Sequence, residues 1–145
     1  MKKLFITALM CVMALSMSAQ YVDLGLPSGT KWKTSNEPGF YTYEEAVDRF
    51  ASNMPEEWQL QEIIDYCEWT WNGRGYKVVG PNGSFIVFPA AGVDFGTNGA
   101  DGIIEKVGAE GAYWTLGYTL NFNSRDIEQS VFAPSIGCSV RLVRQ

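Results

Sequence analysis

Residues 42–71, which read TYEEAVDRFASNMPEEWQLQEIIDYCEWTW, contain the change of hydrophobic period that decides the fold class. Thr42 and Glu45 have the spacing of a capping box, which is typical of the start of a helix. The apolar residues that follow recur at helical spacing, namely Tyr43, Ala46, Val47 and Phe50. We therefore predict a first amphipathic helix over residues 42–53.

A second helix is predicted to begin near Pro55, because proline is favoured in a first turn and Glu56 and Glu57 suit the start of a helix dipole. Its apolar face is formed by Leu60, Ile63, Ile64 and Cys67. Cys67 is therefore expected to point toward the core, and both helices are interpreted as packing elements.

After Cys67 the hydrophobic period changes from helical to alternating. Residues 68–72 and 75–80 alternate on either side of an Asn-Gly turn, which predicts a hairpin, and SFIVFPAAG (84–92) indicates a buried strand. Short strands are also predicted in AYWTLG, YTLNFNS, DIEQSVFA and CSVRLVR. With helices early and a small antiparallel sheet later, the pattern predicts an α+β fold.

The first 19 residues have the layout of a secretory signal peptide. Lys2 and Lys3 precede an apolar run, and small residues lead to Ala19. The run is too short to span a bilayer permanently, and no later segment approaches that length. We predict a signal peptide over 1–19, one domain over 20–145, and export to the periplasm, cell surface or extracellular space without membrane insertion of the processed chain.

Composition excludes several function classes. The leader holds two of the 11 basic residues and none of the 16 acidic ones, so residues 20–145 carry a net charge of −7, which argues against nucleic acid as a partner. The chain contains no histidine, which removes serine–histidine and cysteine–histidine catalysis. A hydrolase based on two carboxylates stays open as a lesser alternative, and no catalytic residue is assigned.

Segment 94–105, DFGTNGADGIIE, is the one candidate metal site in the sequence. Counted as a twelve-residue calcium loop, it places Asp94 at position 1, Asn98 at position 5 and Glu105 at position 12. Gly96 stands at the third ligand position, and Asp101 stands where an apolar residue anchors such loops. An ordinary surface loop is therefore favoured over calcium.

The five tryptophans admit two interpretations. Exposed aromatic rings stack on sugars, whereas a small domain with few aliphatic residues needs its aromatics in the core. Trp69 and Trp71 alternate on one strand face and so share it. A core position is predicted for Trp32, Trp58, Trp69 and Trp114. Trp71 is the tryptophan retained as a candidate for ligand binding.

Cys67 and Cys138 follow the predicted leader. In an oxidising compartment such a pair is a disulfide candidate, which would stabilise the fold by roughly 4 kcal/mol in the chain-entropy model. Two buried free thiols are the alternative, and the residues alone leave both open.

A family resemblance is carried by six segments that follow one another in order from residue 21 to residue 144. They are YVDLGLPSGTKWKTSN (21–36), GFYTYEEAV (39–47), MPEEWQLQEIIDYCEWTW (54–71), GYKVVGPNGSFIVFPAAG (75–92), AYWTLGYTLNFNS (112–124) and GCSVRLVR (137–144). In this combination the chain resembles the Fibrobacter major paralogous domain family of secreted bacterial modules. Segment 94–111 matches poorly and is interpreted as a variable loop.

The resemblance implies a C-type-lectin-like fold, with two short helices followed by a small twisted antiparallel sheet and long loops. It implies that the strand in VDLGL (22–26) pairs with the last strand, and it favours a bridge between Cys67 and Cys138. The Glu-Pro-Asn and Trp-Asn-Asp triplets of calcium-dependent lectins do not occur in this chain, and only Cys138 stands where related enzymes use paired cysteines.

These observations lead to the hypothesis of a non-catalytic exported binding module. Its ligand is expected to be a glycan or a surface protein, contacted through loop 94–111 with Asp94, Asn98, Asp101 and Trp71 as candidate contacts. A structural or assembly subunit of the cell envelope, without a small ligand, is the alternative.

Overall fold

The computed structural model describes residues 20–96 and 103–145. The predicted signal peptide, Asn98 and Asp101 lie outside these residues. Within the described part, the chain forms two α-helices, one 3-10 helix and eleven short strands in small antiparallel sheets. The predicted α+β class is confirmed.

The first helix, α1, spans Tyr43–Phe50 and begins with the predicted capping box. The Thr42 hydroxyl accepts a hydrogen bond from the Glu45 N–H at 3.2 Å, and the Glu45 carboxylate accepts one from the Thr42 N–H at 2.9 Å. The helix is shorter than predicted because Ala51 leaves helical geometry with φ of 20°, and a 3-10 helix follows at Ala51–Asn53.

The second helix, α2, spans Glu57–Tyr66, with Glu56 as its N-cap. The Glu56 N–H donates to the Gln59 side chain at 2.8 Å, and the Glu56 carboxylate accepts from the Gln59 N–H, which completes a second capping box. Leu60 and Ile63 are buried as predicted. Cys67 ends the helix and packs, half-buried, against the core.

The strands form three sheets of three strands and one two-stranded ribbon. One sheet has the order β1 (Tyr21–Asp23), β2 (Lys31–Lys33) and β11 (Val143–Arg144). Another contains β3 (Glu68–Trp71), β4 (Gly75–Val79) and β5 (Phe85–Pro89), and it confirms the predicted hairpin. The third contains β8 (Gly111–Trp114), β9 (Thr119–Phe122) and β10 (Ile127–Ser130). The ribbon consists of β6 (Val93–Asp94) and β7 (Ile104–Glu105).

The expected pairing of the first strand with the last is wrong, because β2 lies between them. Trp32 of β2 is opposite Val22 on one side and opposite Val143 on the other. The chain returns after β1 through a turn in which Gly25 and Gly29 have φ of 79° and 77°, values that suit glycine. Strand β2 therefore takes the central position, and β1 becomes an edge strand.

The core consists of two packed clusters. One surrounds Trp32, Leu60 and Phe88, and the other surrounds Tyr41, Trp114 and Cys138. Residues 138–143 contribute to both, since Cys138, Val140 and Leu142 pack in the second cluster and Val143 packs in the first.

The burial of the tryptophan side chains differs from the prediction at Trp58. Trp32 and Trp114 are buried, and Trp69 and Trp71 are half-buried against the first cluster. The predicted core position of Trp58 is wrong, because its side chain is 48% exposed on the outward face of α2. Trp58 lies two residues before Leu60, so it falls on nearly the opposite side of the helix from the buried face.

Candidate functional site

A cleft of about 190 Å³ lies where the described ends of segment 94–111 meet the sheet of β8, β9 and β10. Phe95 and Phe132 line it, and Phe95 is 43% exposed although it is a large apolar side chain. The buried ring of Phe122 also lines the cleft. The cleft therefore offers aromatic surface beside segment 94–111.

A glycine makes room for this aromatic surface. Gly111 is opposite Phe122 in the β8–β9 register. A Cβ atom built on Gly111 would collide with the far end of the Phe122 ring. The ring thus occupies space that any other residue at position 111 would fill.

Polar groups complete the lining, and most come from β9, β10 and the turn between them. The lining includes two amides and three carboxylates, namely Asn121, Asn123, Glu110, Asp126 and Glu128. Asn121 is opposite Glu128 across the β9–β10 pair, so both side chains lie on one face of the sheet. The turn is held by the Asn123 side chain, whose oxygen accepts from the Arg125 and Asp126 N–H groups at 2.8 and 2.9 Å.

Asn121 has an incomplete set of hydrogen bonds. Its side-chain nitrogen donates to the Ser130 hydroxyl, while its side-chain oxygen is buried and has no hydrogen-bond partner in residues 20–96 and 103–145. Buried polar groups are normally satisfied, so this oxygen is an exception among the polar groups of the cleft residues.

Asp94, a predicted ligand-binding residue, acts as an anchor for the segment. It is 1% exposed, and its carboxylate accepts from the Gly96 N–H at 3.0 Å. Its backbone N–H and C=O pair with Gly137 at 2.9 and 2.8 Å. Asp94 therefore fixes the start of the loop on the C-terminal segment instead of presenting a carboxylate to solvent.

The ribbon register separates the two described members of the candidate calcium loop. Glu105 is opposite Val93, and Asp94 is opposite Ile104, so the Asp94 and Glu105 side chains lie on opposite faces of the ribbon. In the described ranges, no group of three or more histidine, cysteine, aspartate or glutamate residues is arranged to hold a metal ion.

Trp71 is near the cleft but does not line it. Its ring meets the Tyr76 ring edge-on at 5.1 Å, and the Tyr76 hydroxyl donates to the Asn123 carbonyl at 2.7 Å. Trp71 thus supports the turn of the cleft through Tyr76.

The cleft also contains residues that the sequence analysis did not select, namely Phe95, Asn121, Asp126, Glu128 and Phe132. The sequence signal that could have indicated them is the high density of Asn and Asp in NFNSRD (121–126).

Cys67 and Cys138, the cysteines among the described residues, are free thiols in the structure. Cys67 packs against the first core cluster, whereas Cys138 is fully buried in the second. Burial, together with the nearby Glu62 carboxylate, raises the pKa of Cys67 to about 11. Burial also raises the pKa of Cys138. At neutral pH both side chains are protonated, so neither is prepared to act as a nucleophile.

Comparison of the chain with protein-family models, curated proteins and solved structures finds no match. Among the described residues, no helix has the length and apolar character needed to cross a membrane. The described residues form a small α+β module with an aromatic and polar recess beside the described ends of segment 94–111. The resemblance of the sequence to the Fibrobacter major paralogous domain family stays an interpretation.

Proposed function

We propose that this protein is an exported, non-catalytic binding module that binds a glycan in the cleft beside segment 94–111. The observation that carries the proposal is the exposed ring of Phe95 at a recess lined by amides and carboxylates. A sugar has C–H faces that pack on aromatic rings and hydroxyl groups that need both donors and acceptors. Recesses with apolar walls and a few polar groups are the usual form of small-ligand sites.

The polar groups of the cleft suit hydroxyl groups better than charged ligands. Carboxylates accept hydrogen bonds from sugar hydroxyls, and side-chain amides both donate and accept. Glu110, Asp126 and Glu128 make an anionic ligand unfavourable here. A neutral oligosaccharide is therefore the favoured ligand, and a surface protein is the alternative ligand at the same place.

A C-type-lectin-like architecture is part of the same proposal. It is supported by the two helices, the small antiparallel sheets and the sheet in which β2 pairs with both β1 and β11. Export rests on the layout of residues 1–19. The proposal does not include calcium, because the Asp94 and Glu105 side chains lie on opposite faces of the β6–β7 ribbon.

The test is binding of the purified protein to an array of oligosaccharides and polysaccharides, with calcium and then with EDTA, followed by titration calorimetry on any hit. Phe95→Ala is expected to weaken binding about tenfold, since an aromatic contact is lost. Phe85→Ala is the matched control, because Phe85 is 51% exposed on β5 and does not line the cleft.

Retained binding by Phe95→Ala, or an equal loss in Phe85→Ala, would place the ligand elsewhere. A blank array in both buffers would overturn glycan binding. Binding that disappears in EDTA would contradict the calcium-free form of the proposal and return attention to Asp94–Glu105.

Assembly in the cell envelope is the second candidate, and a specific feature favours it. Ile103, Ile104 and Val107 are apolar and exposed beside β7, with Val107 exposed to 68%. Exposed large apolar side chains of this kind are typical of surfaces that contact another protein. If Val107→Asp releases the protein from an envelope fraction while the array stays blank, assembly is the better account.

A further inference from the structure

A second and larger groove, of about 720 Å³, runs along the outward face of α2. Two large aromatic side chains lie in it, Trp58 with 48% and Tyr66 with 56% of the side chain exposed. Pro27 and Leu116 form the opposite wall, and the Leu116 N–H donates to the Pro55 carbonyl at 2.9 Å. We call this feature the α2 groove.

The groove is built from one stripe of the helix. Trp58, Glu62 and Tyr66 follow one another at four-residue spacing, which places them on the same face. Eight residues of helix span about 12 Å. That distance equals three to four residues of an extended peptide at about 3.3 Å each.

The side chains of the groove are held in place by neighbours. The Trp58 Nε1–H donates to the Glu56 carboxylate at 2.7 Å. The Glu62 carboxylate accepts from the Ser28 N–H at 3.0 Å and from the Ser28 hydroxyl at 2.7 Å. Pre-organised groups lose little conformational entropy when a ligand binds.

The charge of the groove is of one sign. Four carboxylates line it, and no lysine or arginine is among its described lining residues; the acids are Glu56, Glu57, Glu62 and Asp65. Three of these carboxylates accept hydrogen bonds, and the donors are the side chains of Trp58, Ser28 and Gln61 and the backbone N–H groups of Ser28 and Gln59. All of these donors are neutral, so the negative charge is not cancelled. Exposed aromatic faces beside uncompensated carboxylates are suited to a cation.

We propose that the α2 groove docks an extended segment of a partner protein that carries arginine or lysine side chains. A guanidinium stacks on the exposed face of Trp58, and the carboxylates of Glu57 and Asp65 attract the neighbouring cations. Arginine is preferred over lysine, because its planar group stacks on aromatic rings and is less strongly hydrated. The groove is separate from the cleft at Phe95, so the two proposals fail independently.

The test measures fluorescence anisotropy of a labelled peptide of alternating glycine and arginine, with a citrulline version as the neutral isostere. The arginine peptide is expected to bind at low salt and to weaken as salt rises, while the citrulline peptide does not bind. Trp58→Ala is expected to weaken binding about threefold or more, and Trp58→Phe to retain part of it. Because Trp58 is half-exposed, these variants are expected to fold.

A charge-matched pair separates the groove from the general acidity of the protein. Glu57→Gln with Asp65→Asn is expected to weaken binding, whereas Glu44→Gln with Asp48→Asn, at exposed positions of α1, is expected to leave it unchanged. Equal losses in both pairs, or unchanged binding in Trp58→Ala, would overturn the proposal. Absence of peptide binding would also overturn the proposal. So would a dimer of the free protein that dissociates in Trp58→Ala, because a second copy of the chain would then occupy the groove.

Discussion

Arg141 lies over the ring of Phe88, with the guanidinium carbon 4.7 Å from the ring centroid, and both side chains are almost fully buried. The guanidinium donates to the Asn36 side-chain oxygen at 2.9 Å and to the Lys33 and Val87 carbonyls. No ion pair to Arg141 is found in the described part of the chain. A buried cation is thus held by neutral acceptors and an aromatic face, and it joins β2 to β5.

Removing this cation should be costly. Arg141→Ala would leave a cavity and three acceptors without their donor, so we expect the free energy of unfolding to fall by about 3 kcal/mol or more. The free energy of unfolding can be measured by urea denaturation monitored by tryptophan fluorescence. Arg144→Ala is the control, because Arg144 also stacks on an aromatic ring, that of Tyr21 at 4.6 Å, but is exposed. A loss no larger than that of Arg144→Ala would show that Arg141 has no structural role.

The ionisation of Tyr113 should lower the free energy of unfolding at alkaline pH. Burial raises the pKa of Tyr113 to about 12, although Arg141 and the hydrogen bond from Asn36 act in the opposite direction. The unfolded state loses the phenol proton near its ordinary pKa of 10, so between these pH values the folded state binds more protons. The free energy of unfolding therefore falls as pH rises through this interval, by about 1.4 kcal/mol at pH 11 from this group.

Tyr113→Phe isolates that contribution. The variant loses the hydrogen bond from the Tyr113 hydroxyl to the Pro89 carbonyl at 2.7 Å, so it should be about 1 kcal/mol less stable at pH 8. Its difference from the wild type should shrink by pH 11 in urea denaturation. Tyr118→Phe, at an exposed tyrosine, should leave the pH dependence unchanged. Parallel pH profiles for Tyr113→Phe and the wild type would contradict the assignment.

Cys67 and Cys138 should be slow to react in the folded protein. Because burial raises the pKa of both thiols, alkylation by iodoacetamide at pH 8 should modify Cys67 slowly and Cys138 only after denaturation. Peptide mass mapping without reductant reports both positions. A Cys67–Cys138 peptide that resists alkylation in denaturant until it is reduced would show the bridge that the sequence resemblance favoured.

Gly111 should be needed for both stability and the cleft. In Gly111→Ala the new methyl group meets the Phe122 ring, and displacing that ring should cost about 1–3 kcal/mol. Gly108→Asn is the comparison, because Gly108 has open space around it and a φ of 83° that asparagine tolerates. Thermal unfolding that is unchanged in Gly111→Ala would show that the ring relocates without cost.

Local features of the fold were predictable from the sequence, and long-range ones were not. The capping box of Thr42 and Glu45 and the hairpin of β3 and β4 depend on residues close together in the chain. β2 lies between β1 and β11 because β2, and not β1, pairs with the C-terminal strand. β1 and β2 have three residues each, and their sequence patterns do not show which of the two forms this pair. The exposed position of Trp58 could have been predicted from its spacing to Leu60, because residues two apart lie on nearly opposite sides of a helix.

The candidate site was harder to foresee for the same reason. Phe95, Glu128 and Phe132 have no motif in common, and they meet only because the ribbon and the β8–β10 sheet converge. Asp94 had the right chemistry for a ligand, but its neighbours in space, Gly96 and Gly137, use it as a structural acceptor and a pairing partner. Side-chain type alone does not distinguish these roles.

The central position of β2 also determines when the chain can finish folding. Trp32 is made early in synthesis, but its partner Val143 comes 111 positions later. Until β11 has left the ribosome, one side of β2 has no partner, and both core clusters lack the residues that segment 138–143 contributes. Contacts this distant in sequence form late, so both core clusters are completed only after residues 138–143 have left the ribosome.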